Sequence, residues 1–118
     1  MIETWSDATG GFHPASTPDY LPIDQMRDLQ SRRLKQVVQR AFDHVQPFRQ
    51  RMEQLGLDPQ QIHSLDDISR LPFAVKDDLR DAYPFGLFAS PMGEVVRLHA
   101  SSGTTGKPTV VAYTRSDR

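Results

Sequence analysis

The run Ser101-Ser102-Gly103-Thr104-Thr105-Gly106-Lys107-Pro108 stands between two β-prone stretches, residues 94–100 and 109–114. Val, Tyr and Thr dominate those stretches, and a Gly-rich turn between β-prone runs reads as strand, loop, strand. A lone hairpin is marginal in water, so these strands need further strands or a packed helix. The preceding residues are patterned as helix, so the fold class expected is α/β overall and α+β over this stretch. A helical subdomain would be followed by a β-hairpin that opens a larger α/β domain.

Residues 1–22 carry Gly10, Gly11, Pro14, Pro18 and Pro22 among Ser, Thr and Asp, which is turn and coil chemistry. An extended arm is expected there, packing through Trp5, Phe12 and Tyr20. Helical periodicity then begins: Ile23, Met26, Leu29, Leu34, Val37, Val38, Ala41, Phe42 and Val45 recur at spacings of three and four. The pattern predicts one amphipathic helix over 23–45, stopped by Pro47. A shorter helix over 48–55 would end on Gly56 as a left-handed cap. Ser64-Leu65-Asp66-Asp67 resembles a capping box with Asp for Glu, opening a short helix that Pro72 closes. Residues 75–82 predict another, and its charges, Lys76-Asp77-Asp78, read as a solvated face. Thr114 and Ser116 are placed to cap a further element. The domain division expected is an arm over 1–22, a helical subdomain over 23–90, and over 91–118 the truncated start of a larger domain.

Of the 118 residues, 37% are apolar and 25% charged, the net charge is -1, and cysteine is absent. The balance calls for neither nucleic acid nor a membrane surface as partner. Without cysteine there are no disulfides or thiolate metal sites. The first residues lack the basic start and apolar stretch of a signal peptide, and a cytoplasmic protein is expected.

A polyphosphate site needs many donors converging on a small volume. Gly103 and Gly106 allow backbone N–H groups to turn inward. Ser101, Ser102, Thr104, Thr105 and Thr109 offer hydroxyls, and Lys107 a mobile charge. Hydrogen bonds to a charged group contribute about 1.5–3 kcal/mol each, so a few suffice for a nucleotide. A flexible surface loop is the blander reading of the same composition. The P-loop of NTPases does not fit: only two residues separate Gly103 from Gly106, and Pro108 stands where Ser or Thr is required. The stretch after it is β-prone, so the helix amino-terminus of that motif is missing as well.

The same run resembles, residue for residue, the phosphate loop of the adenylate-forming superfamily of acyl-CoA synthetases, luciferases and peptide-synthetase adenylation domains. Around it, Asp77-Asp78-Leu79-Arg80-Asp81-Ala82-Tyr83-Pro84-Phe85-Gly86, Val96-Arg97-Leu98-His99-Ala100 and Val110-Val111-Ala112-Tyr113-Thr114 look like phenylacetate-CoA ligases. Leu71-Pro72-Phe73 and Arg32-Arg33-Leu34 fit the same family, and the resemblance runs from about residue 24 onward.

The resemblance implies an enzyme that joins an aryl acid to ATP, releases pyrophosphate, and passes the acyl group to coenzyme A, with Mg2+ balancing phosphate charge. Ser101, Ser102, Thr104 and Thr105 would hold the β- and γ-phosphates. Lys107 would be the catalytic cation on the leaving pyrophosphate. Gly103 and Gly106 would let the loop close and open. The family's adenine- and ribose-binding segments, its magnesium-binding glutamate and the lysine of its mobile domain lie further along. The chain is therefore expected to be an amino-terminal fragment, inert alone. Unpaired strand edges and apolar helix faces predict a homo-oligomer.

His99 reads as a packed strand histidine. His13, His44 and His63 read as solvated or capping residues, and no metal-binding residue is expected. Arg32-Arg33-Lys35 reads as a solvated helix face, although it could attract coenzyme A phosphates. A non-catalytic nucleotide-binding module and a helical dimerisation module remain as alternatives.

Overall fold

The computed structural model describes residues 14–102 and 106–117. A 3-10 helix, Pro14–Tyr20, leads into α1 (Ile23–His44) and α2 (Gln46–Gln54). Two 3-10 helices follow, Pro59–Gln61 and Leu65–Arg70, then α3 (Lys76–Asp81) and a 3-10 turn, Met92–Glu94. The hairpin β1 (Val95–Ala100) and β2 (Val110–Thr114) comes next, with a last 3-10 turn at Arg115–Asp117. The described part is thus mostly helical with one two-stranded antiparallel sheet. No helix among the described residues is long and apolar enough to cross a membrane.

Where an extended arm is expected, Pro14–Tyr20 coils into a 3-10 helix with Pro18 inside it. The 3-10 form tolerates proline in so short a run, because few internal N–H donors are needed. Trp5 and Phe12 lie outside the described residues.

Pro47 stops α1 from beyond its end and itself occupies the first turn of α2. In a continuous helix its ring would meet the carbonyl of Asp43, so the break must come earlier. It comes at Val45, which turns extended at φ -114° while its N–H still reaches Ala41 O at 2.8 Å. Pro47 then costs nothing, since first-turn N–H groups have no helical partner. The carbonyls left open at the end of α1 are taken by Arg49, whose Nε donates to Phe42 O at 2.7 Å and whose other guanidinium nitrogen donates to Asp43 O at 2.6 Å.

The far end of α2 closes as the sequence predicts. Gly56 adopts φ +66°, its N–H donates to Glu53 O at 3.0 Å, and Leu57 N–H reaches back to Met52 O at 2.9 Å. This paired pattern satisfies two orphan carbonyls and folds Leu57 onto Met52.

The core lies between α1, α2 and the 3-10 segments. Val38, Met52 and Ile62 are its buried centre, with Leu34, Phe42, Phe48, Leu57 and Leu71 packed around them. The inward stripe of α1 is narrower than its apolar pattern: Ile23 and Val37 are 70% and 63% exposed. The Ser64–Asp67 capping box is present, but the helix it opens, Leu65–Arg70, is 3-10.

The solvated reading of Lys76-Asp77-Asp78 holds for Asp77 and fails for Asp78. Asp77 is 74% exposed in its side chain, whereas Asp78 is 15% exposed and pairs with Arg51 of α2. The two strands pair from Ala100 opposite Val110 to Arg97 opposite Tyr113, and the register slips between Arg97 and Val95. Along β2, Val110, Ala112 and Thr114 face inward and line a cavity with Leu79, Leu87 and Phe88. Val111 and Tyr113 face out and are 44% and 38% exposed. Arg40 of α1 ties the helices to this region through Ser90 Oγ at 2.6 Å.

Candidate functional site

The hairpin brings Ser101 and Thr109 together at the neck of the Ser/Thr/Gly loop. Ser101 N–H donates to Thr109 O at 2.9 Å, one step beyond the Ala100–Val110 pair. Thr109 answers with both its donors, N–H and Oγ1–H, each 3.0 Å from Ser101 Oγ. Ser102 is exposed, and Gly106 takes φ +86°, the left-handed conformation its place in the turn requires. Lys107 follows it, exposed, and its ammonium forms no ion pair among the described residues. Gly103, Thr104 and Thr105 lie outside the described residues.

Of the sequence-predicted residues, Ser101 is tied to Thr109 at the end of the hairpin ladder, and Ser102, Gly106 and Lys107 are exposed on either side of residues 103–105. A free ammonium and hydroxyls beside a left-handed turn can receive an anion. His99 lies on β1, its ring edge-on to Tyr113 with centroids 5.2 Å apart. It is exposed rather than packed, since no second layer covers that face among the described residues. His44 and His63 are also exposed, and His13 is outside the described residues. Arg32, Arg33 and Lys35 are exposed along α1, as a solvated face requires.

At the other end of β2 the carboxylate of Asp117 accepts from Thr114 N–H at 2.7 Å and from Thr114 Oγ1–H at 2.9 Å. The Thr114 N–H bond, then the hydroxyl bond and the Arg40 charge, hold the Asp117 carboxyl below its ordinary range. Thr114 and Ser116 also share a hydrogen bond at 2.9 Å. The hairpin is thus pinned at both ends by hydroxyl groups. Thr114 is legible in the sequence as a cap, and the signal for its partner Asp117 is an acidic residue three positions on.

Among the described residues no group of three or more His, Cys, Asp or Glu side chains could hold a metal ion.

No protein-family model matches the chain. It is 53% identical over 97 residues to the phenylacetate-coenzyme A ligase of Thermus thermophilus, covering 82% of this chain and 22% of that one. The phenylacetate-coenzyme A ligase of Pseudomonas putida is 52% identical over 95 residues, again 22% of its length. The fold matches a 2-hydroxyisobutyryl-CoA ligase solved with 2-HIB-AMP and CoA, at TM-score 0.73 and 35% identity, over 82% of this chain and 22% of that one. The chain thus spans about a fifth of the length of the relatives it matches. Over that span it is a homologue of the phenylacetate-coenzyme A ligases.

Proposed function

We propose that the loop from Ser101 to Thr109 holds the phosphates of ATP in an aryl-CoA ligase that makes phenylacetyl-CoA, AMP and pyrophosphate through an acyl-adenylate. The observation that carries this is Lys107, exposed and without an ion pair among the described residues, beside the left-handed Gly106 at the end of the hairpin. The likeness to phenylacetate-coenzyme A ligases supports the choice of reaction.

Ser102, Thr104 and Thr105 donate to the β- and γ-phosphates, and Ser101 can add its remaining O–H. Lys107 offsets the charge that builds on the departing pyrophosphate; such a group acts only where charge develops. Coenzyme A takes the acyl group in the second half-reaction. Mg2+ accompanies the nucleotide and balances the charge of its phosphates. Residues 23–90 act as a helical subdomain, and residues 91–118 begin the larger adenylation domain. The working protein is cytoplasmic, and it is a homo-oligomer, the second supported by apolar side chains left exposed, such as Phe73 at 89% and Val75 at 62%.

Two assays separate the parts of this reading. Calorimetry should detect ATP or pyrophosphate binding to the 118-residue chain, lost when Lys107→Ala is combined with Thr104→Ala. ATP–pyrophosphate exchange with phenylacetate should give no turnover, since one loop is not a whole site. Unchanged binding in the double variant would overturn the phosphate loop, and turnover by the chain would overturn its dependence on further polypeptide.

A further inference from the structure

We infer that the hydroxyls of Ser101 and Thr109 form a clasp that fixes the width of the loop mouth, which makes both of them positioning residues for polyphosphate binding. The inference rests on the phosphate-loop reading and divides the labour within it: Ser101 holds the neck rather than serving first as a phosphate ligand.

The ladder of β1 and β2 runs in one register from Arg97–Tyr113 to Ala100–Val110, and Ser101 with Thr109 is its next pair. An antiparallel pair of this kind exchanges two main-chain bonds. Only one is main chain to main chain, Ser101 N–H to Thr109 O at 2.9 Å. The returning N–H of Thr109 goes instead to Ser101 Oγ at 3.0 Å, and the Thr109 hydroxyl reaches the same oxygen at 3.0 Å. The last rung is therefore closed by a side chain.

A serine oxygen has two lone pairs and one O–H. Both lone pairs of Ser101 are taken by Thr109, and only its proton remains to be donated. Ser101 can still give one bond to an anion, but its place is set by Thr109. Thr109 is half-buried, whereas Ser101 and Ser102 are exposed, so the clasp is anchored on its β2 side. Lys107 is two residues from Thr109 along the chain, so a neck that splays displaces the ammonium directly. Two strands with a loose last rung would let the loop sample many widths, and a ligand would then have to order it on binding.

The test uses the chain itself, with pyrophosphate as probe and two readouts. The first is amide hydrogen exchange at Thr109 without ligand. The second is pyrophosphate affinity by calorimetry. In Ser101→Ala the Thr109 amide should exchange about tenfold faster, and affinity should fall about three- to tenfold, the worth of one or two neutral hydrogen bonds. Thr109→Val keeps the shape and the β-preference but loses the hydroxyl, and should weaken binding about threefold. Thr109→Ser restores the hydroxyl and should bind within about twofold of the parent.

Thr109 exchange unchanged in Ser101→Ala overturns the clasp, and a simultaneous drop in affinity would make Ser101 a direct phosphate ligand. Equal weakening in Thr109→Val and Thr109→Ser also overturns it, since the hydroxyl would then be irrelevant. If the parent chain fails to bind pyrophosphate while the exchange pattern appears, the phosphate reading falls and the neck bonds stand as hairpin structure only.

Discussion

The guanidinium of Arg51, on α2, grips both carboxylate oxygens of Asp78, on α3, and one of its nitrogens also donates to Phe73 O at 2.9 Å. Asp78 accepts the Val75 N–H at 2.7 Å as well, so one carboxylate caps α3 and docks it on α2. Arg51 first, and then the Val75 N–H, bring the Asp78 carboxyl down to about 2. A free aspartate titrates near 4, so the folded state binds its proton more weakly than the unfolded chain. The stability from this pair is fully present above about pH 4 and is lost as pH falls toward 2. Thermal melts between pH 5 and 2 should show Tm falling through that window, with Asp78→Asn flattening the fall. The flattening should be partial, because Asp67, lowered chiefly by the His63 N–H and then by Arg70, titrates in the same direction. Arg51→Ala should lower Tm at pH 7 by roughly 5 °C, a typical shift for losing a modest interaction in a domain of this size. A Tm profile identical in Asp78→Asn and the parent would remove the pair from the acid response.

Gly56 gives a second prediction because its cost is purely conformational. A Cβ there would meet nothing within 4 Å, yet φ is +66°. Gly56→Ala should destabilise the chain by about 1–2 kcal/mol, the usual penalty for an L-residue in this region. Gly56→Asn should cost less, since Asn tolerates the left-handed region better. Chemical denaturation of the two variants should rank them in that order, and an Ala variant as stable as the parent would contradict the cap.

The elements that could be read from sequence are those whose cause is local. The period-three-and-four stripe gave α1, Gly56 gave the cap of α2, and Ser64 with Asp67 gave a capping box. The loop order Ser101 to Pro108 located the candidate site between two strands. What escaped depends on partners far along the chain. Asp78 looks like its neighbour Asp77 in sequence; besides the Val75 N–H, Arg51, 27 residues away, turns it inward. Val37 belongs to the apolar stripe by spacing, but the core is too small to reach it. Pro47 marked a break correctly in kind, while its position depended on Arg49 being free to take the carbonyls that Val45 leaves open. At the neck, the hydroxyls of Ser101 and Thr109 are both visible in the sequence, but composition does not say that they face each other.

The division between a small centre and a large uncovered apolar surface predicts opposite effects at two residues. Met52 is fully buried, so Met52→Ala should cost about 2–4 kcal/mol, as large-to-small changes in cores do. Phe73 is 89% exposed, so Phe73→Ser should leave the monomer's stability within about 0.5 kcal/mol. If the apolar surface drives self-association, Phe73→Ser should instead shift the sedimentation profile toward smaller species. Sedimentation velocity over a range of concentrations checks this, and a parent chain that stays monomeric throughout would remove the homo-oligomer from the proposed function.

Lys107 allows the sharpest test of the phosphate reading, because its charge is exposed and unpaired among the described residues. An exposed cation attracts a polyphosphate through water, and salt at 0.1 M already screens charges beyond about 10 Å. Pyrophosphate affinity should therefore fall steadily as salt rises. Lys107→Ala should lower it about tenfold at low salt and make the remaining binding less salt-dependent, since one charge-assisted hydrogen bond contributes about 1.5–3 kcal/mol before screening. Lys35 is the control: it is a cation on the exposed face of α1, away from the loop, and Lys35→Ala should leave affinity within about twofold. Equal losses in the two variants would mean that net charge, not the loop, attracts the anion. Loss in Lys107→Ala alone, with a gap from the parent that narrows at high salt, would place the anion at the mouth between Ser102 and Lys107.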